Sequence, residues 1–317
     1  MRTLNFSLSP TPPFRLDLTA LALQRRPINK IDSWNGDSYS RVLVLGEVPV
    51  LVQVKETGTG RSPRLHVRAQ AKYLPKHARI GITGSLEKLL GLRADMKPFY
   101  RFARADRRLK NLAERFAGLR PPRFPSVFEA MVNGIACQQL SLHVGLTLLS
   151  RLMVRAGLAL ELPAETVHAF PGPRDVSKTR MQTLRGLGFS ANKGIALKTL
   201  SGLIVSHHLD PEDLADCDND AAIQNLLALR GIGRWTAEYV LLRGLGRTDV
   251  FPADDVGARN NLARWLGVEK PLDYAGVKQV VDKWHPYSGL IYFHMLLDRL
   301  VATGALSAEH AGLRWKR

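Results

Sequence analysis

Cysteine is scarce: Cys137 and Cys217 are the only two in 317 residues. Two thiols cannot fill a four-thiolate iron–sulfur cluster or a four-cysteine zinc site, and they suit a reducing, intracellular setting. Long apolar runs are missing as well. None reaches the ~18 residues that a membrane-spanning helix needs, and Met1-Arg2 leads into Ser, Pro and Thr rather than into the apolar stretch of a signal peptide. There is no Walker loop, nucleophile elbow, zinc signature, repeat or low-complexity tract. His207-His208 lacks a third ligand at useful spacing and reads as a helix end. The other shortage is acid, with 28 Asp+Glu against 45 Lys+Arg and a net charge of +17. An imbalance of that size points to a polyanionic partner. No helix concentrates the basic residues on one amphipathic face, which argues against a membrane surface.

The 45% hydrophobic content is enough for a sizeable core, and the length suits one large or two to three ordinary domains. The first hundred residues differ from the rest. Phe14, Leu16 and Leu18 alternate with Arg15 and Asp17, the period of a strand, and 18–24 reads as a short helix. Residues 41–54 read as two strands around Gly46-Glu47-Val48-Pro49, with a third strand at 64–69 and a helix at 85–92. Beyond Lys97 the pattern is helical. Gly118 to Pro125 forms a Pro-rich joint, followed by helices at 126–136 and from Gln138-Gln139-Leu140-Ser141 through Arg151. Further helices are expected at 164–170, 176–185, 191–207, 221–229, 256–266, 274–284 and 289–303. Arg314, Lys316 and Arg317 form a basic tail.

The chemistry concentrates in ALRGIGRWTAEYVLLRGLGRTDVFPADDV, from Ala228 to Val256. A helix end, a tight turn at Gly231-Ile232-Gly233 and a second helix from Arg234 to Leu245 are expected. Glycines around one apolar residue let the chain reverse and leave backbone N–H groups open at a helix start. Such a start suits one phosphate. Trp235 and Tyr239, four apart, share a helix face. The stretch ends in paired carboxylates, Asp254 and Asp255.

This segment resembles the helix–hairpin–helix DNA base-excision glycosylases, and among them the alkylation-repair, 3-methyladenine DNA glycosylase II type. One departure is visible: Arg230 stands where that family commonly has proline. The resemblance implies a mostly α fold with a mixed α/β N-terminal domain at 1–103 and two helical subdomains. One is built from 104–127 with 248–317 and carries the acid; the other, 128–247, ends in the hairpin. It also implies a monomeric, intracellular enzyme that acts on damaged bases in double-stranded DNA. The expected lesions are alkylated purines of the 3-methyladenine and 7-methylguanine kind, hydrolysed without a required cofactor or metal. The alternatives are a glycosylase for oxidised or deaminated bases, or a hairpin module that binds DNA without catalysis.

Residue roles follow from what base excision requires. Positive charge develops on the sugar as the C1′–N bond breaks, and a carboxylate beside it lowers the barrier. By the resemblance that group is Asp255, with Asp254 lining the site and suited to cap the next helix. Relatives that cut the backbone place a Schiff-base lysine where Trp235 stands, so a monofunctional enzyme is expected. Trp235 and Tyr239 would present ring faces to electron-poor bases, and the resemblance implies Tyr287, after Pro286, as a third pocket aromatic. Gln139 and Leu140 match the family's wedge into the vacated step. Gly231 and Gly233 would grip a phosphate, aided by a monovalent cation at the hairpin carbonyls, with Arg230, Arg234, Arg243 and Arg247 as further phosphate contacts.

Overall fold

The computed structural model describes residues 1–58, 62–304 and 306; Arg314, Lys316 and Arg317 lie outside them. Five strands, β1 (Arg2–Leu8), β2 (Ser33–Trp34), β3 (Ser38–Leu45), β4 (Val48–Glu56) and β5 (Leu65–Ala71), form an antiparallel sheet in the order β1-β5-β4-β3-β2. Period-two patterning sets its faces. In β5, Leu65, Val67, Ala69 and Ala71 are buried while His66 and Arg68 face out. Helices α1 (Leu16–Gln24) and α2 (Ala78–Leu90) close the inner face, with Leu16, Leu23, Ile82 and Leu86 in one core with Val50, Val52 and Val67.

Two expectations fail here. The alternation at Phe14, Leu16 and Leu18 is not a strand, because Leu16 already begins α1. This helix is buried on two sides: Leu18 and Ala22 enter a second, helical core while Leu16 and Leu23 face the sheet. Apolar residues on both sides of a helix erase the 3.6-residue signal. β1 was not anticipated, although Leu4, Phe6 and Leu8 alternate along it.

From residue 97 to 302 the chain is mostly helical. It runs through α3 (Lys97–Ala103), α4 (Arg107–Arg115), α5 (Val127–Cys137) and α6 (Leu142–Ala156). A small hairpin follows, β6 (Ala159–Glu161) and β7 (Thr166–His168), then α7 (Pro173–Lys178), α8 (Met181–Gly186), α9 (Ala191–Val205) and α10 (Asn219–Leu227). The last helices are α11 (Arg234–Val240), α12 (Val256–Leu266), α13 (Tyr274–Val281) and α14 (Ser288–Ala302). The helix expected at 164–170 is therefore a strand and its flanks. Leu160 and Ala169 bury this hairpin against Val42 and Leu51 of the N-terminal sheet, a tertiary contact that local periodicity cannot reveal. The helix expected at 176–185 is broken in two at Thr179 and Arg180.

Two helical cores result. One joins Phe99, Leu109 and Phe116 to Phe251, Leu262, Ile291 and Phe293. The other gathers α5, α6 and α9–α11 around Met131, Leu149, Leu197 and Val240. The N-terminal sheet is fastened to α5 by a buried ionic cluster. Arg41 on β3 meets Asp32 at 2.8 Å and Glu129 at 2.6 Å, and Tyr39 donates to Asp32 at 2.7 Å. Removing one member of such a cluster would strand a buried charge, at a cost of about 3 kcal/mol or more. No helix among the described residues is long and apolar enough to cross a membrane.

Candidate active site

The hairpin links α10 to α11. Asp218 caps α10 through Ala221 N, and the chain reverses at Gly231, whose φ of +84° excludes ordinary side chains. Space demands glycine too, since a Cβ there would lie 2.4 Å from the Ala196 side chain on α9. Gly233 precedes the first residue of α11 with no side-chain cap, so first-turn N–H groups stay open beside it. The second helix is regular only to Val240 and then widens into a π-helical turn, Leu241–Leu245.

Beside the hairpin lies a cleft of about 1170 Å³, lined on different sides by Gly231, Gly233, Trp235, Tyr239, Asp255 and Tyr292. Asp255 stands at the start of α12 with both oxygens committed. Oδ1 accepts from Ala258 N at 2.8 Å, and Oδ2 accepts from the Trp235 indole N–H at 2.9 Å. The helix start and the indole together hold the carboxylate in one orientation. The cap expected of Asp254 thus belongs to Asp255. Asp254 also lines the cleft and faces Arg259 at 3.8 Å. Trp235 stacks on Tyr239 with ring centroids 5.5 Å apart and 28° between planes, making one continuous aromatic wall.

The hairpin, the acid pair and the two aromatics are therefore brought together, and Gln139 and Leu140 join them on the cleft lining. Gln139 has a φ of +53° and Leu140 is 41% exposed, so an apolar tip is held outward at the turn after α5. Two groups fasten this turn. Gln138 Nε2 donates to Gly231 O at 2.7 Å and to Thr236 Oγ1 at 2.8 Å. Lys193 Nζ donates to the carbonyls of Ala136 and Gln138, each at 2.8 Å. The wedge candidates and the hairpin are thus one hydrogen-bonded unit.

Other expectations are corrected. Tyr287 does not line the cleft; it packs on Phe99 and Phe102, with centroids 5.9 and 5.1 Å away, at the foot of α14. Tyr292, five residues on, takes the cleft position, and burial followed by the Asp255 charge pushes its phenol well above the usual range. Arg243 is buried between the Phe124 and Phe293 rings, 5.0 and 5.3 Å from their centroids. Arg247 donates to Asn219 Oδ1 and Leu214 O and so ties two loops together. Neither is presented to a phosphate. Arg234 is exposed at the cleft over the Tyr274 ring, while Arg230 is exposed on the turn but outside the cleft lining.

Three contributors have no signature in the sequence. Gln138 and Lys193 act through backbone carbonyls. Arg25, at the C-terminal end of α1, reaches the cleft from the N-terminal domain and donates to Tyr239 Oη at 3.2 Å.

Comparison with known proteins agrees with this geometry. Residues 132–286 match the family model of the HhH-GPD superfamily base excision DNA repair proteins, and residues 5–126 match the AlkA N-terminal domain. A Bacillus subtilis DNA-3-methyladenine glycosylase is 26% identical over 81% of this chain and 84% of its own. DNA-3-methyladenine glycosylase 2 of Escherichia coli is 25% identical over 93% and 96%. Among solved structures, the 3-methyladenine DNA glycosylase of Archaeoglobus fulgidus superposes with a TM-score of 0.81 at 23% identity, covering 95% of this chain and 99% of its own, a likeness of fold. The chain belongs to the HhH-GPD superfamily of base excision DNA repair proteins, with an AlkA-type N-terminal domain preceding the helical core.

Proposed function

We propose that this protein is a DNA glycosylase that initiates base excision repair by hydrolysing the N-glycosidic bond of alkylated purines, 3-methyladenine and 7-methylguanine in kind. The observation that carries the reading is Asp255, whose carboxylate is fixed by Trp235 and by the start of α12 on an aromatic-walled cleft beside the glycine hairpin. The hairpin N–H groups hold one phosphate, and Leu140 fills the step that the flipped nucleotide leaves. Trp235, Tyr239 and Tyr292 receive the base. Cationic alkylated purines are drawn to such ring faces. Asp255 then stabilises the positive charge on the deoxyribose and orients the attacking water.

The reaction stops at an abasic site. An indole stands at Trp235, and no lysine is among the described residues that line the cleft, so no amine is placed there for a Schiff base. A monovalent cation against the hairpin completes the phosphate grip. Gly231 O accepts from Gln138 Nε2 and Gly233 O from Ala237 N, which leaves each a lone pair to offer. The protein acts as a monomer on duplex DNA in the cytoplasm.

The test is base release from duplexes carrying methylated, oxidised or deaminated bases, with borohydride present in parallel samples. Release of methylated purines with no covalent protein–DNA adduct is expected. Preference for an oxidised base would overturn the substrate, and an adduct would overturn the monofunctional chemistry.

A further inference from the structure

Two charges of opposite sign are tied to the two members of one stacked aromatic pair. Asp255 accepts from the Trp235 indole at 2.9 Å, and Arg25 donates to the Tyr239 hydroxyl at 3.2 Å. Both charged residues line the cleft. The carboxylate suits the sugar, where positive charge grows. The guanidinium needs a separate explanation, because a cation repels bases that are themselves cationic.

Arg25 is held there against several costs. Its backbone has a φ of 57° and a ψ of −38°, a conformation that L-residues avoid and that tends to mark functional positions. Its described hydrogen-bond partners, Tyr239 and the side-chain oxygen of Asn133 at 3.2 Å, are both neutral. Its Nε is buried with no partner among the described residues. A guanidinium with no carboxylate against it, lining a cleft, is poised for negative charge that is absent from the resting protein. The backbone amide of Arg25 bonds to Leu21 O at 2.8 Å, and the Arg41–Glu129 pair locks its domain to α5, so the group is preorganised.

Negative charge appears in the reaction only with some substrates. When the C1′–N bond of a 7-methylated guanine breaks, the bonding pair moves to a base that was cationic and leaves neutral. When the same bond breaks in a neutral purine, the pair leaves the base anionic until it takes a proton from solvent. In both cases a water oxygen bonds to C1′ and its released proton passes by way of Asp255 to solvent. Only the second case gives a guanidinium something to stabilise.

We propose that Arg25 stabilises the departing base of neutral purine lesions that carry a carbonyl acceptor, hypoxanthine being the simplest, and thereby sets the balance between neutral and cationic substrates. The proposal rests on the glycosylase reading above. One side of the cleft supports a cationic sugar, and the other supports an anionic leaving group.

The experiment compares single-turnover release from a duplex with one deoxyinosine and from a duplex with one 7-methylguanine, for the wild-type protein and Arg25→Met. The inosine-to-methylguanine rate ratio is expected to fall about tenfold, and no less than threefold, in the variant. A smaller fall, no change or a rise overturns the assignment, as does a wild-type protein that releases methylguanine but no hypoxanthine. A wild-type protein that releases neither base overturns the glycosylase reading instead. A merely structural role for Arg25 would slow both substrates alike and leave the ratio unmoved. Should Arg25→Met fail to fold by circular dichroism, Arg25→Lys and Arg25→Gln carry the comparison. The charged lysine is expected to keep the ratio within threefold of wild type and glutamine to lower it further; equal ratios would overturn the proposal.

Discussion

Asp255 performs two tasks because a carboxylate has two oxygens. One caps α12 and the other meets the Trp235 indole. Asparagine caps helices about as well as aspartate, whereas alanine does not. Thermal denaturation should therefore find Asp255→Asn close to wild type and Asp255→Ala lower by about 1 kcal/mol; equal losses would remove the cap from the account. His294 makes a second prediction. Burial lowers its pKa from 6.5 to about 4, and its Nδ1 lies 2.7 Å from Leu290 O within α14. The unfolded chain takes up this proton first, so stability should be intact above pH 6.5 and fall as pH drops toward 4, by roughly 3 kcal/mol from this group alone. Urea melts at several pH values read this directly, and a His294→Phe variant should show a flatter acid slope. The residues most legible in the sequence were those packed into one short stretch, Gly231 to Asp255. Tyr287 misled because the family resemblance puts a pocket aromatic just after the proline, while α14 carries Tyr292 to the cleft instead. Arg25 was illegible because its role depends on how a distant domain docks.

Helix α5 ends against α11 at a point with no spare room. A Cβ on Gly134 would lie 2.5 Å from Thr236 Cγ2. Gly134→Ala must push the two helices apart and cost about 1–3 kcal/mol, as overpacking does. The same shift would strain the Gln138 bonds to Gly231 O and Thr236, and with them the wedge turn. Base release should therefore slow more than DNA affinity weakens, which single-turnover rates and fluorescence anisotropy can separate. Element types followed the sequence where one face of a helix or strand is buried, as in β5 and α6. They departed from it where both faces are covered, as in α1, or where a short hairpin is stabilised by a neighbouring sheet, as in β6 and β7.

The molecule's net charge of +17 acts at longer range than any of these contacts. If the basic surface engages four or more phosphates, the logarithm of the binding constant should fall with the logarithm of salt at a slope near −4 or steeper. Between 50 and 200 mM salt a slope of about −4 is roughly a 250-fold loss of affinity. A slope near −1 would mean that charge contributes solubility rather than binding. Packing makes the N-terminal domain part of this whole, since α1 feeds two cores and its end reaches the cleft. In the proposed reaction a single negative charge, that of Asp255, stands against the deoxyribose. The most direct test is single-turnover release of 7-methylguanine by wild type and by Asp255→Asn, with DNA affinity measured alongside. The expected result is affinity within threefold of wild type and release slower by about a thousandfold or more. Release by the variant at close to the wild-type rate would contradict the account.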